Sequence, residues 1–176
     1  VWGSSESDVF AVGFYTPTGE DERYAIVHYD GSKWSVLKTG AGGRLMNVWG
    51  SSASNVYAVG YPGILHYNGA KWSVMKDSAS LGASVYSIWG SSSSNVFVGR
   101  TDGRIMHYDG TEWTVMETGI NTTFWNIWGL SAASVYAAGS YGTILHYLSN
   151  EPRPPSNLSA RASSSTQIVL GWKDNS

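Results

Sequence analysis

The chain alternates short runs of β-branched and aromatic residues with clusters of Gly, Ser, Asn and Asp. Three such runs follow one another at residues 56–59 (VYAV), 64–67 (ILHY) and 71–75 (KWSVM). Runs of this composition between turn-forming residues predict strands rather than helices. Ile64 and Leu65 are adjacent and both apolar, so they point to opposite faces of a strand, and both faces must be covered. The pattern predicts a fold made of short, doubly covered strands.

The same order of residues recurs about every 40 positions, which is the signature of a repeat fold. Each copy begins with Trp-Gly, and successive copies start 47, 40 and 39 residues apart. A Ser-rich turn, a run of the Val-Tyr type and a His-Tyr pair follow, and three copies continue with Asp-Gly or Asn-Gly and a second Trp. The first Trp residues are Trp2, Trp49, Trp89 and Trp128, and the His residues are His28, His66, His107 and His146.

Each copy predicts four strands, which we call a to d. Strand a carries the first Trp, strand b the Val-Tyr run, strand c the His-Tyr pair and strand d the second Trp. Four antiparallel strands per repeat of about 40 residues are typical of a β-propeller blade. A β-sandwich, the all-β alternative, does not require the same order four times. The fold class is therefore all-β, a β-propeller with about 3.75 four-stranded antiparallel blades in this chain.

Strands c and d are joined by residues typical of tight hairpins. Asp30-Gly31, Asn68-Gly69 and Asp109-Gly110 occupy this position in the first three copies. Both residues of such a pair tolerate positive φ, which a type I′ turn requires. We therefore expect type I′ turns at these three sites.

The C-terminal end of the repeat region departs from the pattern. The repeats begin near residues 1, 48, 88 and 127, and the propeller part extends over residues 1–149, but the fourth copy stops after strand c. Propellers commonly close by taking one strand of a blade from the other terminus, so we expect residues upstream of Val1 to supply this strand d. On this expectation, the remaining blades of the full-length protein are partners of the blades in this chain.

A Pro-rich linker is predicted at residues 150–155, since clustered Pro extends the chain. Two further strands are predicted at residues 157–160 and 167–172. The segment 155–176 resembles the opening of a fibronectin type III domain in its Pro-Pro-Ser-Asn-Leu start, its Ser-rich turn and its apolar run ending in Trp172. The resemblance implies a truncated β-sandwich over residues 156–176 with about two of seven strands.

The links between strands differ in how much their length varies. The strand-a Trp precedes the strand-b Val by 7 residues in all four copies, and the His precedes the strand-d Trp by 6 in three. The b–c distances are 19, 10, 11 and 11, and the d–a distances are 15, 17 and 15. In an antiparallel meander the b–c and d–a links share one edge, so all variation collects on one face. Insertions on one face of a repeat protein often mark its binding face.

This variable face contains the predicted ligand-binding residues. We interpret it as a shallow groove of aromatic and charged residues for a glycan or a peptide, beside the acidic cluster at residues 20–22. The alternative is a set of ordinary solvated loops. The candidate residues are Tyr15, Arg44, Tyr61, Arg100, Asp102, Trp125 and Tyr141.

Composition narrows the possible partners. The net charge of −2 provides no basic field for nucleic acid, and no apolar run approaches the roughly 20 residues of a membrane helix. Cys is absent, which excludes thiolate metal sites and thiol nucleophiles. No cofactor or metal is expected. The four His lie one per blade in strand c, too far apart to converge on one ion, so we expect them to pack or to hydrogen-bond between blades.

The repeated Trp residues are interpreted as packing residues, and the carboxylates show no catalytic pattern. Four strand-a Trp residues beside Gly predict packing between blades, and the strand-d Trp residues 34, 72 and 113 predict packing as well. No spacing selects a pair of carboxylates for glycoside hydrolysis. The chain is therefore more consistent with a binding or scaffold module than with an enzyme.

Residues 88–113 (IWGSSSSNVFVGRTDGRIMHYDGTEW) resemble bacterial propeller repeats of the Asp-box and photosystem-assembly-factor-like kind, and the resemblance covers residues 1–148. The repeat departs from a strict Asp-box because only two residues separate Asp-Gly from the following Trp. The resemblance implies a secreted or cell-surface protein, with fibronectin type III as a typical neighbour. The resulting hypothesis is a non-catalytic extracellular module that binds a protein or glycan. The alternatives are the propeller of a secreted, sialidase-like glycoside hydrolase, or a spacer without a ligand.

Overall fold

The structure is a computed structural model that describes residues 1–41, 43–148, 156–164 and 167–173, the last two ranges by their backbone alone. The first sheet comprises β1 (Trp2–Ser5), β2 (Asp8–Tyr15), β3 (Arg23–Tyr29) and β4 (Trp34–Ala41). The second comprises β5 (Leu45–Ser52), β6 (Asn55–Gly60), β7 (Gly63–Tyr67) and β8 (Trp72–Asp77). The third comprises β9 (Val85–Ser92), β10 (Asn95–Arg100), β11 (Ile105–Tyr108) and β12 (Trp113–Met116). The fourth comprises β13 (Phe124–Ser131), β14 (Ser134–Gly139) and β15 (Ile144–Leu148).

The four sheets, which we call blades 1 to 4, share one topology. The strands of each sheet lie in sequence order, and every neighbouring pair is antiparallel. Blades 1 to 3 have four strands and blade 4 has three among the described residues. The predicted partial β-propeller is confirmed.

The space between successive blades holds the hydrophobic core. One buried cluster lies between blades 1 and 2, a second between blades 2 and 3, and a third between blades 3 and 4. The adjacent residues Leu65 and Ile64 of β7 belong to the first and second clusters, and both are fully buried. Each inner blade therefore buries both faces, as the apolar residues in both strand phases predict.

The strand-a Trp residues pack between blades along the innermost strands. The ring of Trp49 lies against Gly90, where a Cβ atom would come within 2.5 Å of it. Trp2 approaches Gly50, and Trp89 approaches Gly129, in the same way. Glycine at this position is required because the ring occupies the space of a side chain. The predicted packing between blades is confirmed for Trp2, Trp49 and Trp89, whereas Trp128 of blade 4 is 52% exposed.

The c–d turns differ from the type I′ prediction, which is wrong in one respect. Gly31, Gly69 and Gly110 have positive φ, but among the described residues the only non-glycine residue with positive φ is Tyr141. Asp30 instead keeps negative φ and accepts hydrogen bonds from the backbone N–H groups of Ser32 and Lys33. This side-chain cap competes with the backbone hydrogen bonds of a two-residue turn and stabilises a four-residue link.

Helical structure within the described residues is limited to α1 (Ser78–Leu81) and a 3₁₀ turn (Ser140–Gly142). The Asp77 side chain caps the N-terminus of α1 by accepting a 2.7 Å hydrogen bond from the Ser80 N–H group. In this part of the chain no helix has the length and hydropathy that crossing a membrane requires.

The C-terminal segment contains two strands, β16 (Ser156–Ser164) and β17 (Gln167–Lys173), which form an antiparallel pair. They lie at the two positions where the sequence predicts strands. The predicted Pro-rich linker at residues 150–155 lies outside the described residues. The fibronectin type III assignment stays a prediction.

Substitution of Gly90 by Ala should destabilise the propeller because the new methyl group overlaps the Trp49 ring. We expect the free energy of unfolding to fall by about 1–3 kcal/mol, as for other overpacked cores. Gly13 provides the control, since a Cβ there meets nothing within 4 Å. Urea denaturation of Gly90→Ala and Gly13→Ala measures both effects, and equal stability of the two variants would contradict the packing role.

Candidate interaction face

The b–c and d–a links lie at the same edge of every blade, as predicted from their lengths. They are tied together by one repeated backbone hydrogen bond, in which a b–c residue donates to a d–a carbonyl. The donor–acceptor pairs are Tyr61 to Arg44 (2.9 Å), Thr101 to Ser84 (3.0 Å) and Ser140 to Thr123 (3.1 Å). This face is therefore a set of ordered loops rather than free connections.

Five side chains form a continuous strip across this face, which we call the aromatic row. It begins in blade 1, where the guanidinium carbon of Arg44 lies 4.2 Å above the centre of the Phe14 ring. The backbone of Arg44 accepts the 2.9 Å hydrogen bond of the Tyr61 N–H group. The Tyr61 ring lies edge-on to Tyr86 at 5.9 Å, with the two hydroxyl oxygens 2.8 Å apart. Tyr86 in turn lies edge-on to Trp125 of blade 4 at 5.0 Å. The aromatic row therefore extends over all four blades.

The aromatic row is ordered by its contacts yet exposed to solvent. Phe14, Tyr61 and Trp125 expose 47%, 42% and 54% of their surface. The Trp125 Nε1–H group donates a 2.8 Å hydrogen bond to Ser140 Oγ, which fixes the orientation of the indole. Large aromatic side chains are usually buried in a monomer, so this set of exposed rings is a candidate interaction surface.

Electrostatic contacts hold the end of the aromatic row in blade 1. Arg44 donates two hydrogen bonds, of 2.8 and 2.6 Å, to the carboxylate of Glu22. These hydrogen bonds lower the pKa of Glu22 and raise that of Arg44, so both groups stay charged at neutral pH. Arg23 pairs in the same way with Glu20. Two of the three carboxylates in the acidic cluster therefore pair with arginines within this loop region.

The Tyr86 hydroxyl of the aromatic row stays protonated at neutral pH. The hydrogen bond with Tyr61, followed by burial, raises the pKa of Tyr86 above its ordinary value. Two hydroxyls that share one hydrogen bond use only one of their two protons in it. The other proton is available to donate to a carbonyl oxygen of a ligand.

Arg100 and Asp102 have internal partners instead of facing solvent. Arg100 is 4% exposed, and its guanidinium donates to Leu81 O (2.9 Å) and to the carboxylate of Asp102 (2.6 Å). Asp102 also accepts from Arg104, which pairs with Glu117. These contacts attach the α1 turn to the b–c turn of blade 3, so we leave Arg100 and Asp102 out of the interaction surface proposed below.

The structure thus brings together three of the seven predicted site residues, Arg44, Tyr61 and Trp125. Tyr15 and Tyr141 are exposed at 43% and 101% on the same face, and they lie next in sequence to Phe14 and to Ser140, the partner of Trp125. Phe14 and Tyr86 were not among the candidates.

The repeat contains a pattern that indicates both Phe14 and Tyr86. Phe14 and Tyr61 each follow the Gly that ends strand b, and Tyr86 and Trp125 each precede the strand-a Trp by three residues. Aligning exposed aromatic residues by their position in the blade would have found the whole row.

On the opposite face one His contact recurs in every blade. His66 Nε2 donates to Asn55 Oδ1 (2.6 Å) and the imidazole stacks on Tyr57 at 4.5 Å. The equivalent partners are Asp8 for His28, Asn95 for His107 and Ser134 for His146. The hydrogen bonds lie within each blade rather than between blades. Among the described residues, no group of three or more His, Cys, Asp or Glu residues has the geometry for a metal ion.

The residue that hydrogen-bonds to the His differs between blades, and the pKa shifts of the pair differ with it. Burial lowers the pKa of His66 and of His107, both of which face an Asn amide. In blade 1 the partner is a carboxylate instead. Burial opposes its ionisation, but hydrogen bonds from Ser4 and His28 outweigh this, so the pKa of Asp8 is lowered.

The stacked antiparallel sheets, with a buried core between each neighbouring pair, define the chain as part of a β-propeller. No family model matches the chain, and no curated protein matches it. Among solved structures, it is similar to "YCF48 bound to D1 peptide", with a TM-score of 0.58 and 12% identity over 78% of this chain and 50% of the other. It is also similar to "YCF48 from Cyanidioschyzon merolae", with a TM-score of 0.55 and 11% identity over 80% and 50%. The chain spans about half the length of these propellers, and the similarity concerns the fold.

Replacing Arg100 by Gln should destabilise the protein, because the buried link to Leu81 O and the charge opposite Asp102 are both lost. We expect a loss of about 2–3 kcal/mol, since hydrogen bonds to charged groups contribute this much. Arg104→Gln is the matched control, because Arg104 is half exposed and such pairs contribute at most about 1 kcal/mol. Chemical denaturation measures the free energy of unfolding of both variants, and equal losses would refute the internal role of Arg100.

Acid should destabilise the protein through the partly buried His66, whose pKa burial lowers. Because the folded protein favours neutral imidazole, the unfolded chain binds protons first as the pH falls below about 6.5, and stability decreases. Asn55→Asp recreates the carboxylate of blade 1 and stabilises the protonated ring, so the decrease between pH 7 and 5 should become smaller. Urea denaturation at both pH values tests this, with Asn121→Asp as the charge control. An unchanged pH dependence in Asn55→Asp would count against it.

Proposed function

We propose that the chain is a protein-interaction module that binds an extended peptide segment of a partner protein along the aromatic row. The observation that carries the proposal is the continuity of Phe14, Arg44, Tyr61, Tyr86 and Trp125 across four blades, with most of the rings exposed. A strip of this kind matches an extended ligand better than a compact one, because consecutive blades present one contact each.

The chemistry of the aromatic row suits a peptide. Tyr, Trp and Arg are the residues most enriched among those that dominate binding energy at protein interfaces. Their rings are already positioned by contacts with one another, so less conformational entropy is lost on binding. The free proton of the Tyr61–Tyr86 hydroxyl pair can donate to a peptide carbonyl.

The charge near blade 1 favours a ligand without strong negative charge. Arg23 and Arg44 pair with two of the three carboxylates in the acidic cluster at residues 20–22, so one net negative charge remains there. We therefore expect a basic or neutral residue in the part of the peptide that lies over this loop.

A propeller of this fold has been solved with a peptide, as the description "YCF48 bound to D1 peptide" states of that protein. This supports the class of ligand proposed here, while the position of the site rests on the geometry of this chain. An extracellular or cell-surface location and a following fibronectin type III domain remain part of the proposal. They rest on the sequence resemblance alone.

Selection from a display library of random peptides against the full chain tests the proposal. We expect selected peptides to lose affinity in the Trp125→Ala variant by about 30-fold, which corresponds to about 2 kcal/mol for a residue that dominates binding. Trp34→Ala is a matched control, because Trp34 is 53% exposed against 54% for Trp125 but lies on the outer strand of blade 1. Isothermal titration calorimetry measures both affinities.

Three outcomes would contradict the proposal. The first is equal affinity of the selected peptides for the two variants. The second is selection of no peptide at all. The third is failure with peptides together with binding on a glycan array that requires Trp125, which would assign the aromatic row to a carbohydrate.

A further inference from the structure

The last three rings of the aromatic row form a notch. Tyr61 and Trp125 are well exposed, whereas Tyr86 between them is only partly exposed. The plane of the Tyr86 ring is inclined by 74° to that of Tyr61 and by 63° to that of Trp125. Tyr86 therefore lies at the base of the notch, and the two exposed rings flank it.

The spacing of the two exposed rings corresponds to a particular backbone conformation of a ligand. The Tyr61 and Trp125 rings lie 5.9 and 5.0 Å from the ring of Tyr86, so they are at most about 11 Å from each other. In a polyproline II helix every third residue lies on the same side, and the rise of about 3.1 Å per residue separates such residues by roughly 9 Å. Two residues three positions apart in this conformation can therefore each contact one of the two rings.

The polar groups of the aromatic row offer hydrogen-bond donors to a ligand. The hydroxyl pair of Tyr61 and Tyr86 has one proton that the pair itself does not use. The Arg44 guanidinium has five N–H donors, and within the described residues it directs only Nε and Nη2 to Glu22. Glu20 and Glu22 already accept from arginines. A ligand rich in carbonyl oxygens and poor in N–H groups therefore matches the row best.

The position of the aromatic row in the fold does not suit the other common modes of peptide recognition. Its five side chains lie at the ends of strands or in the b–c and d–a links, and they belong to different blades. Strand addition requires one free strand edge along several residues. A docked helix bonds its carbonyl groups internally and would not use the free hydroxyl proton. A polyproline II segment leaves its carbonyl groups open and fits the row better.

We propose that the ligand of the aromatic row is a proline-rich segment in the polyproline II conformation with prolines three positions apart, an inference that rests on the function proposed above. One proline packs against Tyr61 and the next against Trp125, and the hydroxyl pair donates to a carbonyl between them. Proline suits the notch because it lacks an N–H group. Its ring also fixes the backbone near the bound conformation, so little conformational entropy is lost on binding.

Charge determines how the segment is oriented along the aromatic row. The acidic cluster retains one net negative charge after its pairing with Arg23 and Arg44. It lies at the blade 1 end of the row, because Arg44 contacts both Glu22 and the Phe14 ring. A Lys or Arg at the end of the segment that lies over Phe14 therefore strengthens binding.

Two peptides of equal composition, blocked at both ends, test the proposal with the full chain by isothermal titration calorimetry. Both contain Ala, Pro and one terminal Arg, but one has Pro at every third position and the other has the same number at every second position. Only the first places its prolines on one side of a polyproline II helix. We expect it to bind at least about fivefold more tightly and to lose at least about tenfold in affinity to Trp125→Ala, with Trp34→Ala unchanged.

A second pair of variants tests the hydroxyl donor. Replacing both Tyr61 and Tyr86 by Phe keeps the rings and removes the free proton, so the affinity for the first peptide should fall by about fivefold, as for the loss of one hydrogen bond. Tyr141→Phe is the control, because it removes an exposed hydroxyl from the same face but outside the notch. Equal affinities of the double variant and this control would contradict the role of the hydroxyl pair.

Three results would overturn the proposal. Equal affinity for the two peptides would show that the position of the prolines does not matter, and binding of neither would exclude this class of ligand. Selection from the display library of peptides without proline, whose affinity depends on Trp125, would also overturn it. That third result would leave the aromatic row as a peptide site, so it separates failure of this inference from failure of the proposed function.

Discussion

The contact between a tryptophan of one blade and a glycine of the next is the constraint on which the structure depends. Trp2 packs on Gly50, Trp49 on Gly90 and Trp89 on Gly129, each time along the innermost strands. The ring takes the volume that a side chain at the glycine would need, so the two strands approach closely and in one register. A four-stranded sheet that is apolar on both faces must be covered on both sides. The Trp–Gly contact sets how closely neighbouring blades approach, and it therefore also decides how the core clusters between blades are closed.

Once the blades are stacked in this way, their two edges have different properties. On one edge the two-residue a–b turns, the capped c–d turns and the His66–Asn55 type of contact repeat almost without change. These groups satisfy one another within each blade. On the other edge one backbone hydrogen bond recurs in the links of blades 2 to 4, and further contacts, such as Arg44 to Glu22 and Arg100 to Leu81 O, differ from blade to blade. Side chains on that edge therefore vary more than those of the fixed turns, and the candidate interaction residues lie there.

The aromatic row is a consequence of the repeat. Neighbouring blades place exposed rings close enough to pack on each other, as Tyr86 packs on Trp125. Because the domain is built from equivalent units, each blade brings a loop to the same edge, and side chains of successive loops meet there.

The sequence by itself determined the strands, the order of strands within a blade, the Trp–Gly packing and the face on which link length varies. All of these follow from local periodicity and from the repetition of one unit, which a sequence displays directly. Only the tertiary structure decided which side chains meet across blades. It turned Arg100 inward onto Leu81 O, placed Phe14 and Tyr86 in one row with Tyr61, and gave His66 a partner within its own blade. These contacts join residues about 10 to 40 positions apart, and their geometry depends on the spacing between strands and blades rather than on any local pattern.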